Sequence, residues 1–361
     1  MESVSVKMNR IAFLIYSLHG GGAERMVCRL ASFFASHGIC VSIFLFDDSE
    51  IAYPLHEKVN ILKCEPGDKT RINKYMYSCK YIREQVKERS IEAIIAFTIT
   101  MVPYAVISTL FTKCKVIGAE RANPKHYGKK SEFIKNTFAG FCNGYIFQTK
   151  GACDCYPLWV RKKAEIIGNI APGETVNQQV RKEKKWICSA GRLHKDKDYC
   201  TLLKAMKKVL HFIPDAQLNI YGDGPLRNEL ENIAFDLGIY NNVHFCGFTK
   251  ELTEEMKKNS IFAFSSRSEG MPNALIEAMS LGLPCVATDC EFGPSDLIEN
   301  GVNGFLVPVG DDEKMAERLI QLLKDDNLRA HIGSKAEKII VTNSEEVISR
   351  KYSNYISKII S

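Results

Sequence analysis

No Cys-x-x-Cys pair and no Cys/His cluster with zinc spacing occurs in this chain, although it holds 13 cysteines. Structural zinc sites need thiolates or imidazoles paired at short, fixed intervals, so a zinc module is not expected. Cysteines such as Cys40, Cys188 and Cys285 stand in apolar runs, which suits small buried thiols of a reducing compartment. Cys153-Asp154-Cys155 is the one tight pair and reads as ordinary. A secretory leader is also not expected: after Met1–Arg10 a short apolar stretch runs to His19 with no small-residue cleavage site. No Gly-x-Gly-x-x-Gly with a downstream acid appears, which argues against a dinucleotide-dependent dehydrogenase. Repeats of solenoid period are absent. Charge is missing from Ala93–Thr112, a run long enough to cross a bilayer. Thr98–Thr100 and Pro103 divide it into a short strand and a helix, so a membrane span is not expected.

What is present is ordinary for a globular protein, with 45% hydrophobic and 25% charged residues. At 361 residues the chain has room for two domains of roughly 170 to 180 residues, each with a sizeable core. The formal charge of +6 is unevenly placed. Residues 1–175 hold 24 Lys and Arg against 16 Asp and Glu, and residues 176–361 hold 24 against 26. Only the first half is basic, as a surface facing an anionic membrane, a phosphorylated acceptor or nucleic acid would be.

Arg10–Leu18 is a continuous apolar run that reads as a buried parallel strand. It leads into His19-Gly20-Gly21-Gly22-Ala23-Glu24 and then an amphipathic helix. Glycines there let backbone N–H groups approach an anion with a helix dipole behind them, or they make a structural turn. Further strands are expected at residues 38–46, 59–64, 91–97, 114–119, 144–148 and 164–168. Lys69–Arg89 mixes seven Lys and Arg with two Glu, three Tyr and Met76, and so reads as a basic amphipathic surface helix. It either packs its aromatic side on the sheet or meets a membrane or polyphosphate. Glu120-Arg121-Ala122-Asn123-Pro124 lies at the carboxyl end of a strand, where open α/β sheets place ligands. Residues 169–185 lose apolar periodicity and should hold the hinge.

A second series of strands is expected at residues 186–190, 217–221, 243–246, 261–265 and 284–287, alternating with helices at 197–212, 225–237, 253–258 and 272–281. Helices at 312–324 and 328–338 and a terminal helix at 345–360 complete the chain. Three stretches at strand ends stand out. Gly191-Arg192-Leu193 is followed by Lys195 and Lys197, and cations at a helix start suit a diphosphate. Tyr221-Gly222-Asp223-Gly224-Pro225 makes a tight turn before a helix. In residues 268–288, Glu269 occupies the turn, Pro272 suits the first helical position, Glu277 follows on the helix and Gly282 ends it. Vicinal sugar hydroxyls supply two donors to one carboxylate.

Taken together, GRLHKDK, YGDGPL, SEGMPNALIEAMSLGLPCVAT and NGVNGFLVP, with SLHGGGAER near the start, closely resemble the retaining glycosyltransferases of family 4, which have the GT-B fold. The resemblance covers nearly the whole chain. It implies two Rossmann-like, doubly wound parallel-sheet domains facing a cleft: residues 1–172 for the acceptor, residues 173–340 for the donor, and residues 341–361 as a terminal helix packing back on the first domain. It also implies that Arg192 and Lys197 hold the diphosphate of a nucleotide sugar, with Gly191 beside them. Glu277 would bind ribose and Glu269 the transferred sugar. Gly270, Met271, Pro272 and Asn273 would lie against donor sugar and phosphate, with Gly22 facing them. Gly20, Gly21, Glu120, Arg121 and Asn123 are the implied acceptor side. Arg121 takes the place where many members carry a His. Arg192, Lys197 and Glu269 are the implied catalytic group, with no protein nucleophile. No metal is expected, in keeping with the lack of a metal-binding acid pair at a strand end, and no cofactor beyond a donor that is UDP-linked.

The resemblance therefore points to a cytoplasmic glycosyltransferase, peripheral at the inner membrane face, moving an N-acetylhexosamine to a lipid-linked or surface-glycan acceptor such as a polyprenyl-pyrophosphate glycan. Lys69–Arg89 and the basic first half are its expected contact with anionic lipid, and nucleic acid is not expected. A UDP-sugar epimerase on a related scaffold and a non-catalytic nucleotide-sugar-binding module are the alternatives.

Overall fold

The computed structural model describes residues 8–65, 67, 70–172 and 185–361, so most of the expected hinge and Lys69 lie outside the described residues. The chain forms two compact units, one of residues 1–170 with 345–361 and one of residues 171–344.

In the first unit, seven strands pair in parallel in the order β3-β2-β1-β4-β5-β6-β7. They are β1 (Arg10–Leu14), β2 (Cys40–Leu45), β3 (Asn60–Lys63), β4 (Ala93–Ala96), β5 (Lys115–Ala119), β6 (Gly144–Phe147) and β7 (Ala164–Ile166). Both faces of this sheet are covered, which is why its strands read as apolar runs rather than as alternating ones. Alternation along β1 still sorts the core. Ile11 and Phe13 pack with helices Gly22–Ser36 and Glu345–Ile360, while Ala12 and Leu14 face helices Arg71–Glu88, Val102–Thr109 and Lys129–Thr137. The terminal helix is built into the first core through Ile348, Tyr352, Tyr355 and Ile356. Tyr355 Oη accepts from the Tyr145 amide at 2.8 Å, and Glu345 pairs with Arg29 at 3.1 Å. The uncharged run resolves into β4, a 3-10 turn at Ile99–Met101 and helix Val102–Thr109. No helix among the described residues is long and apolar enough to cross a membrane.

The second unit holds six parallel strands in the order β10-β9-β8-β11-β12-β13. These are β8 (Trp186–Ala190), β9 (Gln217–Tyr221), β10 (Val243–Gly247), β11 (Ile261–Phe264), β12 (Cys285–Thr288) and β13 (Phe305–Val307). Sequence reading missed β13 because three residues show no periodicity. It exists through pairing with β12, where Val286, Ala287 and Thr288 face Phe305, Leu306 and Val307. Each sheet reverses its strand order beside one strand, at β1/β4 and at β8/β11. Loops at the carboxyl ends of such pairs splay apart and leave a crevice for ligands.

Candidate active site

In the second unit the crevice is framed by the loops after β8 and β11. The loop after β8 begins at Gly191 (φ 156°), whose amide donates to the Tyr221 carbonyl at 2.9 Å. The loop after β9 lies directly upon it: the Leu193 amide donates to the Asp223 carbonyl, also at 2.9 Å. A Cβ on Gly222 would fall 2.2 Å from the Gly191 oxygen, and one on Gly224 would fall 2.5 Å from the Leu193 oxygen. These two glycines therefore serve a backbone-on-backbone contact as well as the turn. A 3-10 turn at Lys195–Lys197 follows, then Asp198 in the left-handed region (φ 45°), then helix Tyr199–Phe212. The expected helix start at Lys197 thus falls two residues early, because Asp198 breaks the helical path.

The loop after β11 is laced to that turn. Ser265 Oγ donates to the Lys197 carbonyl at 2.7 Å, and the Arg267 amide donates to the Asp196 carbonyl at 2.7 Å. Arg267 Nη2 also meets Asp198 Oδ2 at 2.8 Å. This lacing brings together two side chains 72 positions apart: Lys197 Nζ donates to Glu269 Oε1 at 2.5 Å. The pair is partly shielded, with 25% of the Lys197 side chain and 11% of Glu269 exposed, and the ammonium stands 5.6 Å from the centre of the Phe264 ring. Arg192 is exposed and has no ion pair among the described residues, so its guanidinium is available for an anion. Lys195 is exposed, whereas Lys197 turns inward to Glu269. Asp196-Lys197-Asp198 does form an acid-x-acid pattern, but Asp198 is held by Arg267 and Thr201 and Asp196 by His194. Among the described residues no three His, Cys, Asp or Glu side chains are grouped to hold a metal ion.

Gly270 and Met271 carry the chain to helix Asn273–Ser280. Pro272 is not its first helical residue, as expected from sequence, but the extended residue before it (φ −77°, ψ 106°), and its carbonyl accepts from the Ile276 amide. Glu277 is only 4% exposed on this helix, whose other buried residues include Leu275, Ile276 and Met279. Gly282 ends the helix at φ 65°. Sequence reasoning missed a third loop at this edge. Gly293 (φ 96°), after β12, lies so close to Pro272 that a Cβ would sit 2.5 Å from its Cδ. Gly293-Pro294 is itself a turn signal at a strand end, and it could have been read.

In the first unit, Gly20 (φ 145°) and Gly21 (φ 151°) carry the chain from β1 to the helix that begins at Gly22. Tyr53 Oη accepts from the Gly21 amide at 3.1 Å. Glu24 was not singled out from sequence, yet its carboxylate lies against this loop, 2.3 Å from where a Gly21 Cβ would be. Burial raises its pKa.

The loop after β5 turns two of the residues expected on the acceptor side, Glu120 and Arg121, into its own unit. Glu120, 2% exposed, accepts from the Arg121 and Ala122 amides on Oε1 at 2.8 and 3.0 Å and from the Tyr127 and Tyr156 hydroxyls on Oε2. Four donors fill a carboxylate, so none of its lone pairs is left for an acceptor hydroxyl. Arg121 likewise points into its own unit. Nη1 donates to Asn169 at 3.1 Å, Nη2 to the Tyr352 hydroxyl at 2.6 Å, and the guanidinium lies 4.1 Å from the Phe97 ring centre. It braces the terminal helix against the sheet. Desolvation lowers its pKa, opposed by Tyr352 and Glu120. Asn123 caps the 3-10 turn Pro124–His126 by accepting from the Lys125 amide. A cavity of about 360 Å³ lined by Val86, Lys87, Ile91, Thr112 and Lys115 opens at the amino ends of β4 and β5, the end opposite the loops where such sheets bind ligands.

Residues 174–339 match the family model for glycosyl transferases group 1. The chain is 29% identical over 342 residues to an uncharacterized glycosyltransferase of Haemophilus influenzae, covering 91% of this chain and 94% of that one. It is 27% identical over 355 residues to the Campylobacter jejuni N-acetylgalactosamine-N,N'-diacetylbacillosaminyl-diphospho-undecaprenol 4-alpha-N-acetylgalactosaminyltransferase, with the same coverage of 91% and 94%. Among solved structures, Anabaena HepE in complex with UDP and glucose superposes with a TM-score of 0.84 at 20% identity, covering 97% of this chain and 100% of HepE. S. aureus TarM, in complex with UDP among other ligands, does so with a TM-score of 0.83 at 16% identity and the same coverage.

Proposed function

We propose that this chain, which has the GT-B fold, matches the glycosyl transferases group 1 model over residues 174–339 and is similar along its length to proteins named glycosyltransferases, moves an N-acetylhexosamine from a UDP-sugar to a lipid-linked glycan, with retention of configuration. The observation that carries this reading is the Lys197–Glu269 pair in the crevice at β8/β11. Without a ligand, Glu269 neutralises Lys197. A diphosphate entering between Lys197 and the free Arg192 competes for the ammonium, and Glu269 is then released to accept from hydroxyls of the donor sugar. The same two cations stabilise the charge that grows on the diphosphate as the glycosidic bond breaks. In this scheme the leaving phosphate takes the acceptor proton on the same face of the sugar, so neither a protein nucleophile nor a metal is required. Glu277 accepts from the ribose hydroxyls, and the backbone from Gly270 to Asn273 flanks sugar and phosphate.

The UDP and UDP-glucose complexes of HepE support this choice of donor, and relatives whose names specify diphospho-undecaprenol glycans support this choice of acceptor. Such an enzyme works in the cytoplasm at the inner membrane face. A thermal-shift panel of UDP-, GDP- and ADP-linked sugars tests the donor, with UDP-N-acetylhexosamines expected to stabilise most. Glu269→Ala should keep stabilisation by UDP while transfer falls by roughly 10² or more, and Lys197→Ala should lose both. Unchanged turnover in Glu269→Ala would sink the assignment.

A further inference from the structure

The two faces of the first unit's sheet differ sharply on their outer sides. Helices Gly22–Ser36 and Glu345–Ile360, which cover one face, carry none of the exposed large apolar side chains. The layer on the other face carries eight. Helix Arg71–Glu88 exposes Ile72 (76%) and Met76 (60%), and the end of helix Val102–Thr109 exposes Leu110 (43%) and Phe111 (100%). Phe133 (61%) stands on helix Lys129–Thr137 and Phe141 (71%) on the 3-10 turn Phe138–Phe141 that follows it. Leu158 (57%) and Trp159 (59%) stand on the short helix Leu158–Arg161, where Trp159 lies against Gly140. Phe111 holds its bare ring from a left-handed backbone (φ 60°) that a bulky side chain adopts only at a cost.

Charge follows the same face. Residues 71–89, 110–115, 129–141 and 150–163 hold 15 Lys and Arg against 4 Asp and Glu, which exceeds the net charge of the whole first half. The two helices of the opposite face each carry a net charge of only +1. Lys129, Lys130 and Lys162 are exposed and have no ion pair among the described residues.

We infer that this helical layer is a membrane-docking face, which seats its Phe, Trp, Ile, Met and Leu side chains at the headgroup boundary of an anionic bilayer while the lysines hold lipid phosphates. Aromatic and aliphatic tips within a cationic field are what an interfacial surface needs, and each basic group near such a surface adds attraction. A second copy of the chain is disfavoured as the occupant, because an isologous pairing would press two strongly cationic faces together. Aliphatic Ile72, Met76, Leu110 and Leu158 give bases no platform to stack on, which disfavours nucleic acid. The face is wider than helix Arg71–Glu88 alone. Within that helix, Arg83 turns inward and donates to the Ile107 carbonyl, so it is not among the lipid-facing cations. The inference rests on the lipid-linked acceptor for its purpose, and its test is independent of it.

The full-length protein should float with vesicles of phosphatidylcholine and phosphatidylglycerol, and not with phosphatidylcholine alone. Phe141→Ser with Trp159→Ser should weaken binding about tenfold or more. Lys129→Gln, Lys130→Gln and Lys162→Gln together should remove most of its salt dependence. Phe235→Ser with Tyr240→Ser, on the second unit, should change nothing. The UDP-induced thermal shift, read on every variant, reports folding and the donor site separately: its absence would count against the proposed function and not against docking. No flotation, flotation indifferent to both sets of changes, self-association lost with the same residues, or binding of single-stranded nucleic acid in place of vesicles would each overturn the inference.

Discussion

Glu120 accepts four hydrogen bonds where water does not reach, and desolvation lifts its pKa above the ordinary 4.5. Its tyrosine and amide donors pull the other way but do not prevail. The sign of the resulting pH dependence follows from linkage. Between 4.5 and the raised folded value, the native state keeps a proton that the unfolded chain has released, so stability is complete below this window and falls as pH rises through it. Glu120→Gln should abolish that slope, since an amide oxygen still accepts from the Arg121 and Ala122 amides. Glu120→Ala strands two amides and two tyrosyl hydroxyls and should cost about 3 kcal/mol or more. Urea midpoints across pH 4 to 8 would separate the two variants, and a wild-type curve parallel to that of Glu120→Gln would refute the assignment. The residue was legible as a polar group at a strand end. Its role was not, because Tyr127 and Tyr156 reach it only through the packing of helices that follow.

At the level of elements, the strand-end loops were legible and their mutual contacts were not. A Gly-Asp-Gly turn announces itself locally, but only the fold reveals that Gly224 is pressed against Leu193, from the loop after the neighbouring strand. Lys197 and Glu269 likewise meet only because β8 pairs with β11. Helix starts were misplaced by a residue or two wherever a left-handed residue or an extended proline intervened, as at Asp198 and Pro272. Gly224→Ala tests the contact. Its Cβ would meet backbone atoms of Leu193 at 2.5 and 2.8 Å, which cannot give way as a flexible side chain does. The expected outcome is a loss of about 1 to 3 kcal/mol together with weaker stabilisation by UDP, since the displaced loop carries Arg192 and Lys197. Gly128→Ala, with nothing near its added methyl, should leave both unchanged.

On the scale of the whole molecule, two parallel sheets were readable from two series of alternating strands, and the basic first half was visible as a count. Which face carried that charge was not, because helices on both sides of a sheet read alike until the core assigns them. The terminal helix belongs to the unit from which it is farthest in sequence, and this makes a distinct prediction for a chain ending at Ser344. Such a truncation removes Ile348, Tyr352, Tyr355 and Ile356 from the first core, takes the hydroxyl partner from the Tyr145 amide, and releases Arg121 from Tyr352 and Arg29 from Glu345. Four buried side chains at about 1.5 to 3 kcal/mol each amount to roughly 6 to 12 kcal/mol. That is comparable with the whole stability of a domain, about 5 to 15 kcal/mol. The first unit should therefore fail to fold, while residues 171–344 keep their own core, their own transition in calorimetry and its upward shift with UDP. Two transitions unchanged after truncation would show that the helix is an accessory and that the first sheet stands without it.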